Sequence, residues 1–257
     1  MKIKPIKEKK VKQSLEDALN QIDVEELRSI LLLDVQRFTD TPLVWLKDLV
    51  NYLNIKLNIQ TKDVVFSGKP VDYPLSSVPV SLQSIIVDLF DKCPRAALQV
   101  FFEHLIVNCI DDEIKALPTF GHRIVMQSLA FTMPSIGQKS LEKFKQLRTQ
   151  HQSRPSSCLT LLWAVGQCGH KDFSIGLKIW LEFLLPIMGI HSYSQYVIDY
   201  LDILFAAHSN VHSCNKILGI REFFTVLDVI FTHSSNLPTE QQKQLLSLYP
   251  KLKTVAL

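Results

Sequence analysis

Residues 151–192, HQSRPSSCLTLLWAVGQCGHKDFSIGLKIWLEFLLPIMGIHS, hold two long apolar runs joined by a turn too short to let them separate. Each run is predicted to be a helix. Pro155 suits the first helical position, where its missing N–H is an orphan donor in any case, and Gly169 suits the left-handed residue that closes a helix. Asp172 can cap the second helix by accepting a bond from a free backbone N–H, and Pro186 bends or ends it. In that second helix Ser174, Lys178 and Glu182 recur every four residues and make one narrow polar stripe. All around the stripe stand Phe173, Leu177, Ile179, Trp180, Leu181, Phe183 and Leu184. A helix apolar on nearly every side belongs between neighbours, not on a surface. This hairpin is therefore expected at the centre of the core.

The rest of the chain reads as helix as well. Ser14 and the Asp23/Glu26 pair are helix-start patterns, and Thr41-Pro42 opens an amphipathic helix with Leu46, Leu49, Val50, Leu53 and Leu57 at helical spacing. Further helices are predicted over 81–91, 94–116, 119–131, 138–150, 155–168, 173–186, 193–207, 220–232 and 239–249. Alternate starts fall about 37 residues apart, just below the ~40–47 of HEAT and armadillo repeats. The expected fold is all-α: stacked helical hairpins in a HEAT- or armadillo-like solenoid. Residues 14–257 form its single interaction domain, after a disordered, lysine-rich tail at 1–13.

Residues 58–80, with Gly68, Pro70, Pro74 and Pro79, break the helical pattern. They are expected to run extended over the helices, with partner binding as the alternative. Val64–Phe66 and Val78–Val80 have only weak strand character. Helix 193–207 carries one apolar stripe, Tyr193, Val197, Tyr200, Leu201 and Leu204, with Gln195, Asp199 and Asp202 elsewhere. It is expected to be an outer helix with one face in water.

Charge and cysteine usage narrow the function classes. The net charge is +3, but residues 1–12 carry six lysines against Glu8, which leaves about −2 on the rest. Such a body has no basic field for nucleic acid. The tail is a solvated end or, alternatively, a segment drawn to acidic lipid. Five scattered cysteines indicate free thiols in a reducing compartment. The longest apolar runs, Ala97–Ile110 and Ile175–Ile190, are too short for a membrane span and contain charges.

Catalytic signatures are missing: no Walker loop, no Gly-x-Gly-x-x-Gly, no Gly-x-Ser-x-Gly, no His-Glu-x-x-His. Three weaker arrangements remain. His208, His212 and Cys214 have a zinc-like spacing but no fourth ligand, and they read as an inter-helix loop. Cys168 and His170 form a thiol–imidazole candidate without an orienting third group; a satisfied structural histidine is the plainer reading. The run Asp111, Asp112, Glu113 reads as a solvated face. Arg154 reads as a structural clamp on the previous helix end or on Asp172, and Trp45, Trp163 and Trp180 as core residues. No catalytic, cofactor or metal residue is assigned, and no cofactor is expected.

HQSRP (151–155), CLT (158–160), WAVGQ (163–167), GLKIWL (176–181), LP (185–186) and GI (189–190) together resemble the transmembrane protein 214 family. SLEDAL (14–19), WLKDL and YLN (45–49, 52–54), DYP (72–74) and LYPKLK (248–253) follow the same order. The resemblance implies the amino-terminal cytosolic region of an endoplasmic reticulum membrane protein whose spans lie near the carboxyl end, outside this chain. It further implies a non-enzymatic scaffold in apoptosis under reticulum stress, which recruits the caspase-4 precursor and supports its activation. The alternatives are a helical adaptor for membrane trafficking or protein handling at the reticulum, and a cysteine- or metal-dependent hydrolase built on Cys168, His170 or His208/His212. The binding face is left open between the 58–80 loop and the exposed side of helix 193–207.

Overall fold

The computed structural model describes residues 13–208, 218–233 and 237–256, and within them every regular element is helical. The chain opens with α1 (Leu15–Asn20), α2 (Val24–Arg37) and α3 (Pro42–Lys56), and after the long connection continues with α4 (Val80–Asp91) and α5 (Arg95–Ile114). Next come α6 (Phe120–Thr132), α7 (Ser135–Lys139), α8 (Leu141–His151), α9 (Pro155–Gly166) and α10 (Phe173–Ile179). The last three are α11 (His191–Ala207), α12 (Ile220–His233) and α13 (Thr239–Ala256).

Local chemistry sets the helix starts. Ser14 accepts a hydrogen bond from Asp17 N at 3.1 Å, Asp23 from the amides of Glu25 and Glu26 at 3.0 Å each, and Asp172 from Ile175 N at 3.0 Å. Pro42 and Pro155 occupy first-turn positions. The predicted 138–150 helix is broken in two at Ser140, whose hydroxyl donates to Glu103 and accepts from Gln99 Nε2 at 2.6 Å. Ser140 thus serves α5 more than its own helix. The helix predicted to stop at 249 runs through Pro250 to Ala256, because Leu252 and Val255 beyond it are buried.

The 151–192 hairpin is buried as expected: Trp163, Leu177, Ile179, Trp180, Phe183 and Leu184 all lie in the core, while Ser174 and Lys178 face out. Two details differ from the sequence reading. Gly169 is not left-handed: it lies in a 3₁₀ turn, Gln167–Gly169, and a Cβ there would meet Gly176 Cα at 2.5 Å and the Tyr200 hydroxyl at 2.1 Å. The glycine is needed for close approach of two backbones under α11, not for φ. The helix predicted to reach 186 leaves the α form after Ile179. It continues as a π turn, Trp180–Leu184, and a 3₁₀ turn, Leu185–Ile187, around Pro186.

The most enclosed helix is another one. Residues 120–130 of α6 are all buried, among α3, α4, α5 and α9. Each fully buried large aliphatic or aromatic side chain contributes about 1.5–3 kcal/mol. The connection 57–79 lies against this centre, with Val64, Phe66, Tyr73, Leu75 and Val78 buried, and no strand forms at 64–66 or 78–80. Among the described residues no helix is long and apolar enough to cross a membrane. The lysine-rich tail at 1–12 lies outside the described residues.

Candidate functional site

Helix α6 carries four buried polar residues, His122, Arg123, Gln127 and Ser128, and the first three each fasten another element. The Arg123 guanidinium donates from Nη1 to the Val64 carbonyl at 2.6 Å and from Nη2 to Thr160 Oγ1 at 3.0 Å. It lies 3.6 Å from the Glu113 carboxylate and 5.1 Å from the ring centres of both Phe66 and Trp163. Glu113 in turn accepts from Ser156 and Thr160 hydroxyls at 2.5 Å each. Glu113 is therefore an internal counter-ion, not part of a solvated acidic face. A buried charge is tolerated only when it is paired and hydrogen-bonded in this way.

One turn along, Gln127 Oε1 accepts from Leu75 N at 2.9 Å, and its Nε2 donates to the carbonyls of Val71 and Tyr73 and to Gln167 Oε1. Arg123 and Gln127 share one face of the helix. Together they pin residues 64–75, so this connection is a fixed wall although its one regular element is a single 3₁₀ turn, Leu75–Ser77. Within it Phe66 and Gly68 take left-handed backbone, at φ +56° and +74°. The bend at Phe66 turns its ring into contact with Tyr73, Phe120 and Trp163.

Opposite this wall stands α11, and between them lies a groove of about 420 Å³. Lys69, Pro70 and Val71 form one side; Gln195, Tyr196, Asp199 and Asp202 form the other; Trp163, Gln167, His170 and Tyr200 line the floor. The two surfaces that the sequence left open as binding faces thus meet as the walls of one groove. The α11 wall is partly roofed by α13. Gln244 Nε2 donates to Asp199 at 2.9 Å, and Lys251 pairs with Asp202 at 3.2 Å. The water-facing side of this outer helix is therefore narrower than expected.

The remaining sequence candidates separate. Cys168 is buried with its sulfur against Gly137, and burial pushes the thiol up to about 12. That is the opposite of an activated nucleophile. Cys93, Cys109 and Cys158 are likewise buried free thiols. His170 is structural but not satisfied: its ring sits near Phe131 and Tyr200, and its buried Nδ1 has no hydrogen-bond partner. Among the described residues no group of three metal-ligating side chains forms. His208 packs on Phe173, whereas His212 and Cys214 lie outside the described residues. Arg154 is exposed and serves through its backbone, its N–H donating to His151 O at 2.8 Å. The clamping arginines are instead Arg123 and Arg148. Trp45 and Trp180 are core residues whose indoles donate to Phe38 and Val197 carbonyls at 3.0 Å each. Trp163 is core and groove floor at once.

Two shielded histidines, His122 buried and His170 half-buried, make stability depend on pH. His122 is held down to about 4, first by burial and then by the Arg123 charge; His170 is held down to about 4 by burial, then by His208 and Lys171. The 3.8 Å approach of His122 Nε2 to Asp112 is accordingly a contact of a neutral ring, whose Nδ1 accepts from Asn54 Nδ2 at 2.7 Å. As pH falls from about 6.5 towards 4, the unfolded chain takes up these protons and the folded chain does not. Stability is full above that window and is lost within it, by on the order of 1–3 kcal/mol for each histidine. Denaturation midpoints at pH 7, 5.5 and 4 should fall in that order, and His170→Gln should reduce the slope by about half.

A family model described as "TMEM214, C-terminal, caspase 4 activator" matches residues 2–257. Transmembrane protein 214 of Rattus norvegicus and of Homo sapiens are each 38% identical to the chain over 246 residues, covering 95% of it and 36% of their own length. Transmembrane protein 214-B of Xenopus laevis is 38% identical over 248 residues, with the same shares covered. The chain spans about a third of the length of the curated relatives it matches. The family description reads C-terminal, whereas the resemblance implied the amino-terminal region. No solved structure matches the chain.

Proposed function

Since the chain belongs to the transmembrane protein 214 family, we propose that it is a non-enzymatic docking module that recruits the caspase-4 precursor at the endoplasmic reticulum. Its helices are read as stacked hairpins facing the cytosol, with membrane spans supplied by parts of the longer protein outside this chain. The observation that carries the reading is the family description as a caspase 4 activator. The thiol chemistry at Cys168 supports it from the other side, because a buried, protonated cysteine offers no route to a hydrolase. Recruitment needs no catalysis. Holding two precursors on one surface makes their encounter nearly intramolecular and raises the effective concentration towards millimolar.

The groove between residues 65–73 and α11 is the docking face in this reading. It is concave and floored by aromatic rings, and its loop wall is held rigid from beneath by Arg123 and Gln127. A preorganised surface loses less entropy on binding than a mobile one. Calorimetric titration of the chain with a catalytically inactive caspase-4 precursor tests the proposal. The expected result is a Kd of micromolar or tighter, about −8 kcal/mol or better. No heat at two temperatures would overturn it and leave the trafficking-adaptor reading in its place.

A further inference from the structure

We propose that the groove takes an extended peptide segment of a protein partner and holds one lysine or arginine side chain of that segment against Asp199. The inference rests on the docking reading above in treating the groove as a protein-binding surface, and it adds the chemistry of what enters. A volume of about 420 Å³ suits a few side chains of an extended segment and not a folded domain.

Asp199 is fixed without being neutralised. Its Oδ1 accepts from Gln195 Nε2 at 2.7 Å and from Gln244 Nε2 at 2.9 Å, both uncharged amides. No cation lies within ion-pair distance of it among the described residues. Asp202, three residues further along α11, differs in having Lys251 as its partner at 3.2 Å. The groove therefore contains one positioned carboxylate whose charge is unspent, beside the rings of Tyr196 and Tyr200 with Trp163 on the floor. A cation over an aromatic face and beside a carboxylate is attracted by both. The protein already uses the aromatic half of this chemistry nearby: Lys69 Nζ lies 5.0 Å from the Tyr73 ring centre, and Lys251 Nζ 5.8 Å from that of Phe205.

Position also sets direction. Lys69 on the loop wall repels a second cation there, so the basic side chain points to α11. Pro70 and the exposed Val71 on the loop side then meet neutral or apolar neighbours in the segment.

The test probes the full chain with an immobilised array of twelve-residue peptides in which basic, acidic and aromatic content vary independently. The inactive caspase-4 precursor is titrated in parallel. Binding should follow lysine and arginine content, and Asp199→Asn should weaken the best peptide about tenfold. The thermal midpoint should hold, because asparagine keeps an acceptor oxygen for the two glutamine amides. Tyr196→Leu, which leaves all charges in place, should weaken it several-fold. Binding indifferent to basic residues, or unchanged in both variants, would overturn the inference. If the peptides behave as expected while the precursor does not bind, the inference stands and the docking reading fails. If the precursor binds the chain and both variants alike and the array shows no basic preference, the inference fails and the docking reading survives at another face.

Discussion

Replacing Arg123 with alanine should lower the unfolding free energy by about 3–5 kcal/mol, the largest loss expected from any single side chain here. Three groups each lose a partner together: the Val64 carbonyl, the Thr160 hydroxyl and the Glu113 carboxylate, which keeps only its two hydroxyl donors. A hollow also opens between Phe66 and Trp163, whose ring centres each stand 5.1 Å from the guanidinium. Most of the cost comes from leaving a carboxylate inside with no counter-charge, and a double-mutant cycle separates the parts. Arg123→Met fills the volume but still strands Glu113, so it should remain clearly destabilised. Arg123→Met combined with Glu113→Gln should recover much of the loss. Urea denaturation of the four proteins checks this. Equal stability of the single methionine variant and the double variant would show that the charge is not what matters.

Gly169→Ala should cost about 3 kcal/mol or more, a large effect for one methyl group. A Cβ at this position would lie 2.1 Å from the Tyr200 hydroxyl and 2.5 Å from Gly176 Cα. The first obstacle is the tip of a side chain; the second is backbone and cannot move without shifting α10. Adding Tyr200→Phe should therefore restore only part of the stability, although it removes the nearer atom. It also removes the bond from the Tyr200 hydroxyl to the Gly166 carbonyl at 3.2 Å. Full rescue in thermal melts would place the whole clash on the tyrosine and contradict the close backbone crossing.

The helices were legible because their signals are local. Caps at Ser14, Asp23 and Asp172 and first-turn prolines at 42 and 155 lie next to the residues they organise. The central place of α6 was not legible from the segment around it. Arg123 and Gln127 look like the polar face of an ordinary helix, and their hydrogen-bond partners lie 37 to 59 residues away. Glu113 looked solvated for the same reason, since the cation that pairs with it is on the next helix. The available signal was the spacing of Arg123 and Gln127, one turn apart in a run that is otherwise largely apolar. The groove was half legible. Both walls stood among the surfaces between which the binding face was left open, but Trp163 read as core alone, and Tyr196, Gln167 and Lys69 carried no pattern. Gly169 was assigned to a helix ending because sequence reports which residue is small, and only packing reports why.

The π turn at Trp180–Leu184 has a consequence for rotation. Widening one turn of a helix shifts the azimuth of every residue after it relative to those before. An amphipathic helix would have its stripe swung off the core by such a shift and would lose stability at once. This segment can absorb it because Trp180, Phe183, Leu184 and Leu185 are buried whichever way they face. The Phe183 carbonyl takes its bond from Arg148 Nη1 on α8. The same guanidinium lies 5.3 Å from the Phe183 ring centre. A neighbouring helix thus holds the phase that the apolar sequence leaves unspecified. Deleting one residue between 180 and 184 would turn the following segment back by roughly a quarter of a revolution, and the reach of Arg148 would then decide whether the new phase or the old one persists.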